Sequence, residues 1–269
     1  ERGGYISFAN CGLPYYIGGE ITDRAELTLQ TPESFRARFN IDVRVNSEAL
    51  SIDRAAKTVS VQNRLTGEAY TEAYDTLILS PGAAPLVPPL PGADLPRVFT
   101  LRSIPDADAI RGFIETRRPK SAAVIGGGYI GVEMAENLRR AGLDVTVVEM
   151  ADQVIAPLDA DMARIVQRHI EKNGVKLLLG RALRSIREDE DGALRLTLDE
   201  GELAADFAVM AVGVRPESAL AKAAGLPVNA RGSIQVDTRM RTADPAIYAV
   251  GDAVEVVDFV TGQPGFIPL

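Results

Sequence analysis

The sequence predicts an α/β fold of parallel strands covered by helices, and three observations carry that prediction. Short apolar runs bounded by turn residues recur along the chain and alternate with helical stretches. One such run opens directly into Gly126-Gly127-Gly128-Tyr129-Ile130-Gly131, a glycine-rich turn ahead of a helix. Another, at 247–250, delivers Asp252 beside Gly251 at the strand end where open α/β sheets take their ligands.

The first element is the run Ser7-Phe8-Ala9-Asn10-Cys11-Gly12-Leu13-Pro14-Tyr15-Tyr16, which holds the only cysteine of the chain. Pro14 fits the first turn of a helix, where its missing N–H costs nothing. Unpaired N–H groups at such a start favour a thiolate over a thiol. Ala9 and Gly12 are small and leave room for a reactant to approach the sulfur. Tyr16 stands five residues on, where a dithiol enzyme would carry a second cysteine. Redox chemistry at Cys11 therefore needs an external sulfur or oxygen. Tyr15 and Tyr16 fit either a cofactor wall or plain packing.

Further strands are expected at 76–79, 122–125, 145–148 and 207–212, each apolar and bounded by turn residues. The Pro- and Gly-rich stretch 81–96 reads as an irregular connection, and 105–119 as a short helix. Helices are expected at 129–141, closed by Gly142, and at 159–173, closed by Gly174. Asp159 and Asp161 suit a helix N-terminus, and Arg139-Arg140 a C-terminus. A domain boundary is placed near Pro119.

Composition narrows the function. The chain is 46% apolar and 25% charged, which is globular. A formal net charge of −8 argues against a nucleic-acid binder. Phosphate-bearing ligands stay open, because backbone amides at helix starts bind phosphate without net positive charge. One cysteine excludes an intramolecular disulfide scaffold and suits a reducing compartment, so the cytoplasm is expected. No apolar run approaches the roughly 20 residues that span a bilayer, and no membrane partner is expected. His169 is the only histidine, so no metal site of the zinc type is expected. It shares a helical stripe with Met162, Ile165, Val166 and Ile170 and reads as structural. Glu188 to Asp191 and Asp199-Glu200 read as solvated hairpin ends. The chain opens at Glu1 without a methionine and reads as a piece of something longer.

The glycine cluster fits G-x-G-x-x-G in the required context of a strand before, a helix after, then a second strand ending in an acid. Gly126 allows the tight turn, Gly128 lets the backbone approach a pyrophosphate, and Gly131 lets the helix pack close. Glu149, 18 residues beyond Gly131, is placed to accept hydrogen bonds from ribose hydroxyls. It would also repel a ribose 2′-phosphate, and Met150, Ala151 and Asp152 supply no compensating cation. NAD is expected over NADP.

With these residues in hand, the chain resembles the single-cysteine branch of the FAD-dependent pyridine nucleotide–disulfide oxidoreductases. The segment 242–252 resembles that family's flavin-binding segment, and 7–17 its active-site segment. Within the branch the look is closest to the coenzyme A-disulfide reductases and the NAD-dependent persulfide reductases. The resemblance implies two Rossmann-like, three-layer dinucleotide-binding domains, the NAD domain (119–243) inserted in the FAD domain (1–118 and 244–269). The family's first FAD strand and its glycine loop would precede Glu1, and its C-terminal dimerisation domain would follow Leu269. It implies Cys11 as the redox nucleophile, with Ser7 and Asn10 contacting a coenzyme A substrate. It implies FAD contacts from Glu1, Ser80, Pro81, Gly82, Ala83, Arg102 and Asp252. It implies NAD contacts from Gly126, Gly128, Tyr129, Ile130, Gly131, Glu149 and Gly213, with Glu133 in the matching Gly-x-Glu. Phe39 lies where some relatives carry a basic residue for coenzyme A, which leaves Arg36 and Arg38 as neighbours. The implied activity passes electrons from NADH through FAD to Cys11 and on to coenzyme A disulfide, a persulfide or a polysulfide, in a homodimeric parent. The alternatives are an NADH oxidase or peroxidase working through a cysteine sulfenate, and a non-catalytic NAD-binding module.

Overall fold

The computed structural model describes residues 1–190 and 192–267. It divides into two compact units, one built from Glu1–Ser7, Gln30–Ala84 and Val214–Leu269, the other from Phe8–Leu29 and Pro85–Gly213. In chain order the helices are α1 (Gly12–Ile17), α2 (Pro32–Phe39), α3 (Ile104–Arg117), α4 (Tyr129–Arg140), α5 (Ala160–Lys172) and α6 (Ala219–Ala223). Helices α2 and α6 belong to the first unit and the others to the second.

The second unit is organised by a parallel sheet in the order Lys176–Leu178, Asp144–Val148, Ser121–Ile125, Phe207–Met210, Val98–Phe99. The central strand is apolar on both faces, as a doubly covered parallel strand must be, and Ala122 to Ile125 are all buried. Ala123 and Ile125 join one core with Leu183, Ile186, Leu194, Leu196 and Leu198. Those leucines come from an antiparallel meander, Leu183–Glu188, Leu194–Leu198 and Glu202–Ala205. On the middle strand, Leu194, Leu196 and Leu198 are buried at every second position, the period of a sheet with one wet face. Phe113 of α3 meets Phe99 and Phe207 edge-on or tilted, with ring centroids 5.4–5.5 Å away, and so ties that helix to the sheet edge.

The starts of the two central strands share one carboxylate. Asp206 accepts the Lys120 N–H (2.6 Å), the Ser121 N–H (2.9 Å) and the Ser121 hydroxyl (3.2 Å). Burial alone pushes this carboxyl upward, but those donors and the Arg97 charge outweigh it and hold it below the usual aspartate range. A group with a depressed folded pKa adds stability above its unfolded pKa, and that stability is lost as pH falls through the folded value. Asp206→Asn is therefore expected to cost about 2 kcal/mol at neutral pH. It should also flatten the acid side of the stability curve. Urea unfolding at neutral and acid pH checks both, and equal losses at both pH values would refute the assignment.

The first unit carries an antiparallel sheet, Ser47–Asp53, Thr58–Asn63 and Ala69–Ala73, which the sequence reading had not singled out. Beside it Leu77–Leu79 pairs in parallel with Ile247–Ala249. Leu79, Ile247 and Ala249 share a buried cluster with Ile52, Ala221, Leu226 and Ile234. This cluster explains why 214–243 fold with the first unit. Conversely, Val98–Phe99 pairs with Phe207–Met210, so 98–117 fold with the second. The compact units thus divide at other places than the cofactor-segment boundaries 118/119 and 243/244.

Several expectations need correction. The strand expected over 207–212 stops at Met210, and Gly213 turns away at a φ of +108°. The irregular stretch 81–96 holds a short strand, Ala83–Pro85. The stripe of α5 is only partly buried. Met162 and Ile165 are exposed, and so is His169 in the last turn, while Ile170 of the stripe and Ala163 beside it are buried. The acidic hairpin ends are also more than solvated charge: Asp189 pairs with Arg195 at 2.7 Å, and Asp199 accepts the Ala182 N–H at 3.1 Å. Asp191 lies outside the described residues. Among the described residues no helix is long and apolar enough to cross a membrane, and no group of three His, Cys, Asp or Glu could hold a metal ion.

Candidate active site

In the second unit the strand Ser121–Ile125 ends in the glycine turn, and the turn is shaped by contact as well as by dihedral angles. Gly126 sits at a φ of +108°, and a Cβ there would lie 2.3 Å from the carbonyl oxygen of Ala211. A Cβ on Gly131 would lie 1.9 Å from the Gly126 carbonyl oxygen. The third glycine thus lets α4 close onto the turn itself, more than onto the strand. Gly128 differs from both, since a Cβ there would meet nothing within 4 Å among the described residues beyond its chain neighbours. The outer face of the turn is open for a ligand to lie against the backbone. Helix α4 begins at Gly128 with no side-chain cap and no acid in its first turn. Its N–H donors and its dipole are available to an anion, so these residues fit a pyrophosphate.

Around the turn stand the other expected dinucleotide contacts. Glu149 follows the strand Asp144–Val148 and accepts the Gly127 N–H at 2.6 Å and the Ala151 N–H at 2.7 Å, one on each oxygen. Each oxygen keeps a lone pair for a hydroxyl donor. Tyr129 and Ile130, at the head of α4, are 62% and 40% exposed, an apolar surface that a planar ring could cover. Gly213 follows the neighbouring strand. One turn into α4, Glu133 is half-buried, and burial, then the Glu136 carboxylate, hold its carboxyl above the usual range.

Cys11 also lies in the second unit, as the exposed N-cap residue of α1. Leu13, Pro14, Tyr16 and Ile17 are buried beneath it. The small size of Gly12, expected to leave room at the sulfur, also serves packing. A Cβ there would press on Ala9, Ile21 and Leu27 at 3.1–3.3 Å, so a small residue is needed for packing. Tyr16 is a packing residue. It is buried, donates to Asp108 at 3.3 Å and lies under the Arg111 guanidinium, 4.3 Å from the ring centre. Arg24 grips the same Asp108 through two nitrogens, at 2.9 and 2.7 Å. Tyr15 is half-buried, and Glu136 and Glu133 of α4, then burial, Glu20 and Cys11, push its phenol upward.

The residues expected to hold a flavin fall mostly in the first unit. Ser80, Pro81, Gly82 and Ala83 leave the carboxyl end of Leu77–Leu79, and Asp252 leaves that of its parallel partner Ile247–Ala249. The Val250 N–H bonds to the Leu79 carbonyl at 2.9 Å, so the two loops emerge side by side. Gly82 and Gly251 turn there at φ of +74° and +75°. This is the strand-end geometry at which open α/β sheets bind ligands. Glu1 is exposed, with its carboxylate on the Gly3 N–H at 2.6 Å, and Ser7 is half-buried. Arg102 and Asn10 belong to the second unit, Arg102 just ahead of α3 and Asn10 exposed beside the thiol. Sequence reasoning missed Asn137. It is polar and wholly buried on the inner face of an amphipathic helix, which is the signal that could have found it.

A family model described as pyridine nucleotide-disulphide oxidoreductase matches residues 1–266. An NADH oxidase of Methanocaldococcus jannaschii is 40% identical over 265 residues, 98% of this chain and 58% of that protein. A coenzyme A disulfide reductase of Staphylococcus haemolyticus is 33% identical over 271 residues, 100% of this chain and 60% of that protein. A crystal structure of a reduced Bacillus anthracis protein named CoADR-RHD superposes with a TM-score of 0.95 at 50% identity, covering 100% of this chain and 48% of that one. The chain thus spans about half to three-fifths of the length of the proteins it matches.

Proposed function

The chain belongs to the pyridine nucleotide-disulphide oxidoreductase family, and from that premise we propose that it is the thiol- and dinucleotide-bearing part of an NADH-dependent disulfide reductase whose redox group is Cys11. The observation that carries this reading is the pairing, in one compact unit, of an exposed lone thiol at the head of α1 with an open, uncapped glycine turn at the head of α4. Gly126 to Gly131, Glu149 and Gly213 would hold NAD. Ser80 to Ala83, Asp252, Arg102 and Glu1 would hold FAD. When bound, these groups supply two electrons by hydride transfer. The Cys11 thiolate attacks one sulfur of a disulfide or persulfide, bonds to it and expels the other half as a thiolate, which takes up a proton. Two electrons and a proton then restore the thiol and free the second half.

Coenzyme A disulfide is the favoured substrate, supported by the active-site segment 7–17 and by the named staphylococcal relative. Ser7 and Asn10 would contact it. NADH is favoured over NADPH, because Glu149 sits on the turn and no cation stands in Met150, Ala151 or Asp152. The test is to load the protein with FAD and follow NADH consumption in air and with coenzyme A disulfide. Consumption that depends on the disulfide supports the reductase. Consumption in air alone would move the assignment to an oxidase, and none under either condition would leave a dinucleotide-binding module.

A further inference from the structure

Asn137 occupies an unusual position for an amide. It lies on the inner face of α4, is wholly buried, and its Oδ1 has no hydrogen-bond partner among the described residues. Its Nδ2 donates to the Glu133 carbonyl one turn back, at 2.8 Å. An orphan acceptor in the interior is destabilising, and an apolar side chain of the same size would remove the penalty. The residue facing it is Gly18, which caps the C-terminal end of α1. A Cβ on Gly18 would lie 2.6 Å from Oδ1, 2.9 Å from the Asn137 Cβ and 3.0 Å from its carbonyl oxygen. Gly18 has an ordinary helical φ of −74°, so glycine is required there for closeness and not for a dihedral angle.

Helix α1 is only six residues long, with Cys11 at one end and Gly18 at the other. A fixed end therefore fixes the thiol. Beyond Gly18 the chain is held again, by an ion pair between Glu20 and Arg140 of α4. Within α4, Asn137 also grips the main chain at Glu133, the residue whose carboxylate bears on Tyr15.

We infer that Asn137 is a positioning residue: its close contact with Gly18 sets where the helix that starts at Cys11 rests on the helix that follows the glycine turn. The inference rests on the reading of Cys11 as the redox thiol. Its cost in stability is the orphan acceptor, and its gain is a single register between α1 and α4.

The test uses the single thiol as its own reporter. The rate at which Cys11 reacts with a chromogenic aromatic disulfide is followed across neutral and alkaline pH, alongside the unfolding midpoint. Asn137→Leu, close in size and without polar atoms, is expected to be as stable as the parent or more so. Its thiol should nevertheless react about fivefold faster or slower, with a displaced pH profile. Gly18→Ala and Asn137→Ala should each change the rate as well. In the double variant Gly18→Ala/Asn137→Ala the shortest collision is gone, and the two effects should fall short of additivity. A rate in Asn137→Leu within about twofold of the parent at every pH, or additive effects in the double variant, would overturn the inference. Its failure is separable from that of the functional reading, which falls if the flavin-loaded parent shows no disulfide-dependent NADH consumption or if Cys11→Ser retains disulfide turnover.

Discussion

Cys11→Ser is expected to lower disulfide-dependent NADH consumption of the flavin-loaded protein by at least about a thousandfold. The hydroxyl is a far weaker nucleophile than a thiolate at neutral pH, and no second cysteine can take over. The fold should be untouched. Cys11 is exposed, its side chain caps nothing, and its helix is anchored by Leu13, Tyr16 and Ile17. Surface exchanges of this kind change stability by about 0.5 kcal/mol or less. Hydride transfer from NADH should survive as well, because the dinucleotide turn contains no part of α1. The decisive measurement is a pair of assays on one sample: NADH-dependent bleaching of the flavin, expected to persist, and release of free thiol from coenzyme A disulfide, expected to vanish. Thiol release at the parental rate would show that the cysteine is incidental and that the disulfide is reduced elsewhere.

How far the sequence could be read depended on whether a signal was local. The strand Ser121–Ile125, the turn at Gly126 to Gly131 and helix α4 announce themselves because each carries its own chemistry: a run of small apolar residues, a cluster of glycines of which Gly126 takes a positive φ, and an amphipathic repeat. Gly142 and Gly174 close their helices at φ of +92° and +84°, as their positions had suggested. Val98–Phe99 was illegible. Two residues carry no periodicity, and they become a strand only because Phe207–Met210 offers them an edge. Ser47–Asp53 was illegible for another reason: it buries only Ile52, so its pattern lacks the alternation of a half-buried strand. At the thiol, sequence assigned the small size of Gly12 to reactant access, whereas its neighbours are Ala9, Ile21 and Leu27 from its own unit. The need for a small residue there is set by long-range packing, which no window of sequence contains. The pairing of Asn137 with Gly18 is invisible for the same reason, since each explains the other and they lie on different helices.

Gly126, Gly128 and Gly131 of the turn are expected to respond to alanine in two distinct ways, and the contrast tests the dinucleotide site. Gly131→Ala places a methyl 1.9 Å from the main-chain oxygen of Gly126, and backbone in a closed turn cannot retreat as a flexible side chain can. Strand, turn or helix must shift, at a cost of more than about 3 kcal/mol. Gly126→Ala combines a φ of +108° with a 2.3 Å approach to Ala211 and should be as damaging. Loss of NADH binding in either variant is then uninformative, because the sheet that carries the site is itself disturbed. Gly128→Ala carries the information. Its φ of −73° suits alanine, among the described residues nothing beyond its chain neighbours lies within 4 Å of the new methyl, and the change at an N-cap costs about 1 kcal/mol or less. Among the described residues that methyl obstructs nothing, so what it would meet is a ligand pressed against the backbone. NADH affinity measured by calorimetry should therefore fall about tenfold or more in Gly128→Ala, while its unfolding midpoint stays close to the parent's. Undiminished affinity in that variant would mean that the pyrophosphate does not lie on this turn, and the assignment of Gly126 to Gly131 as the dinucleotide cradle would fall with it.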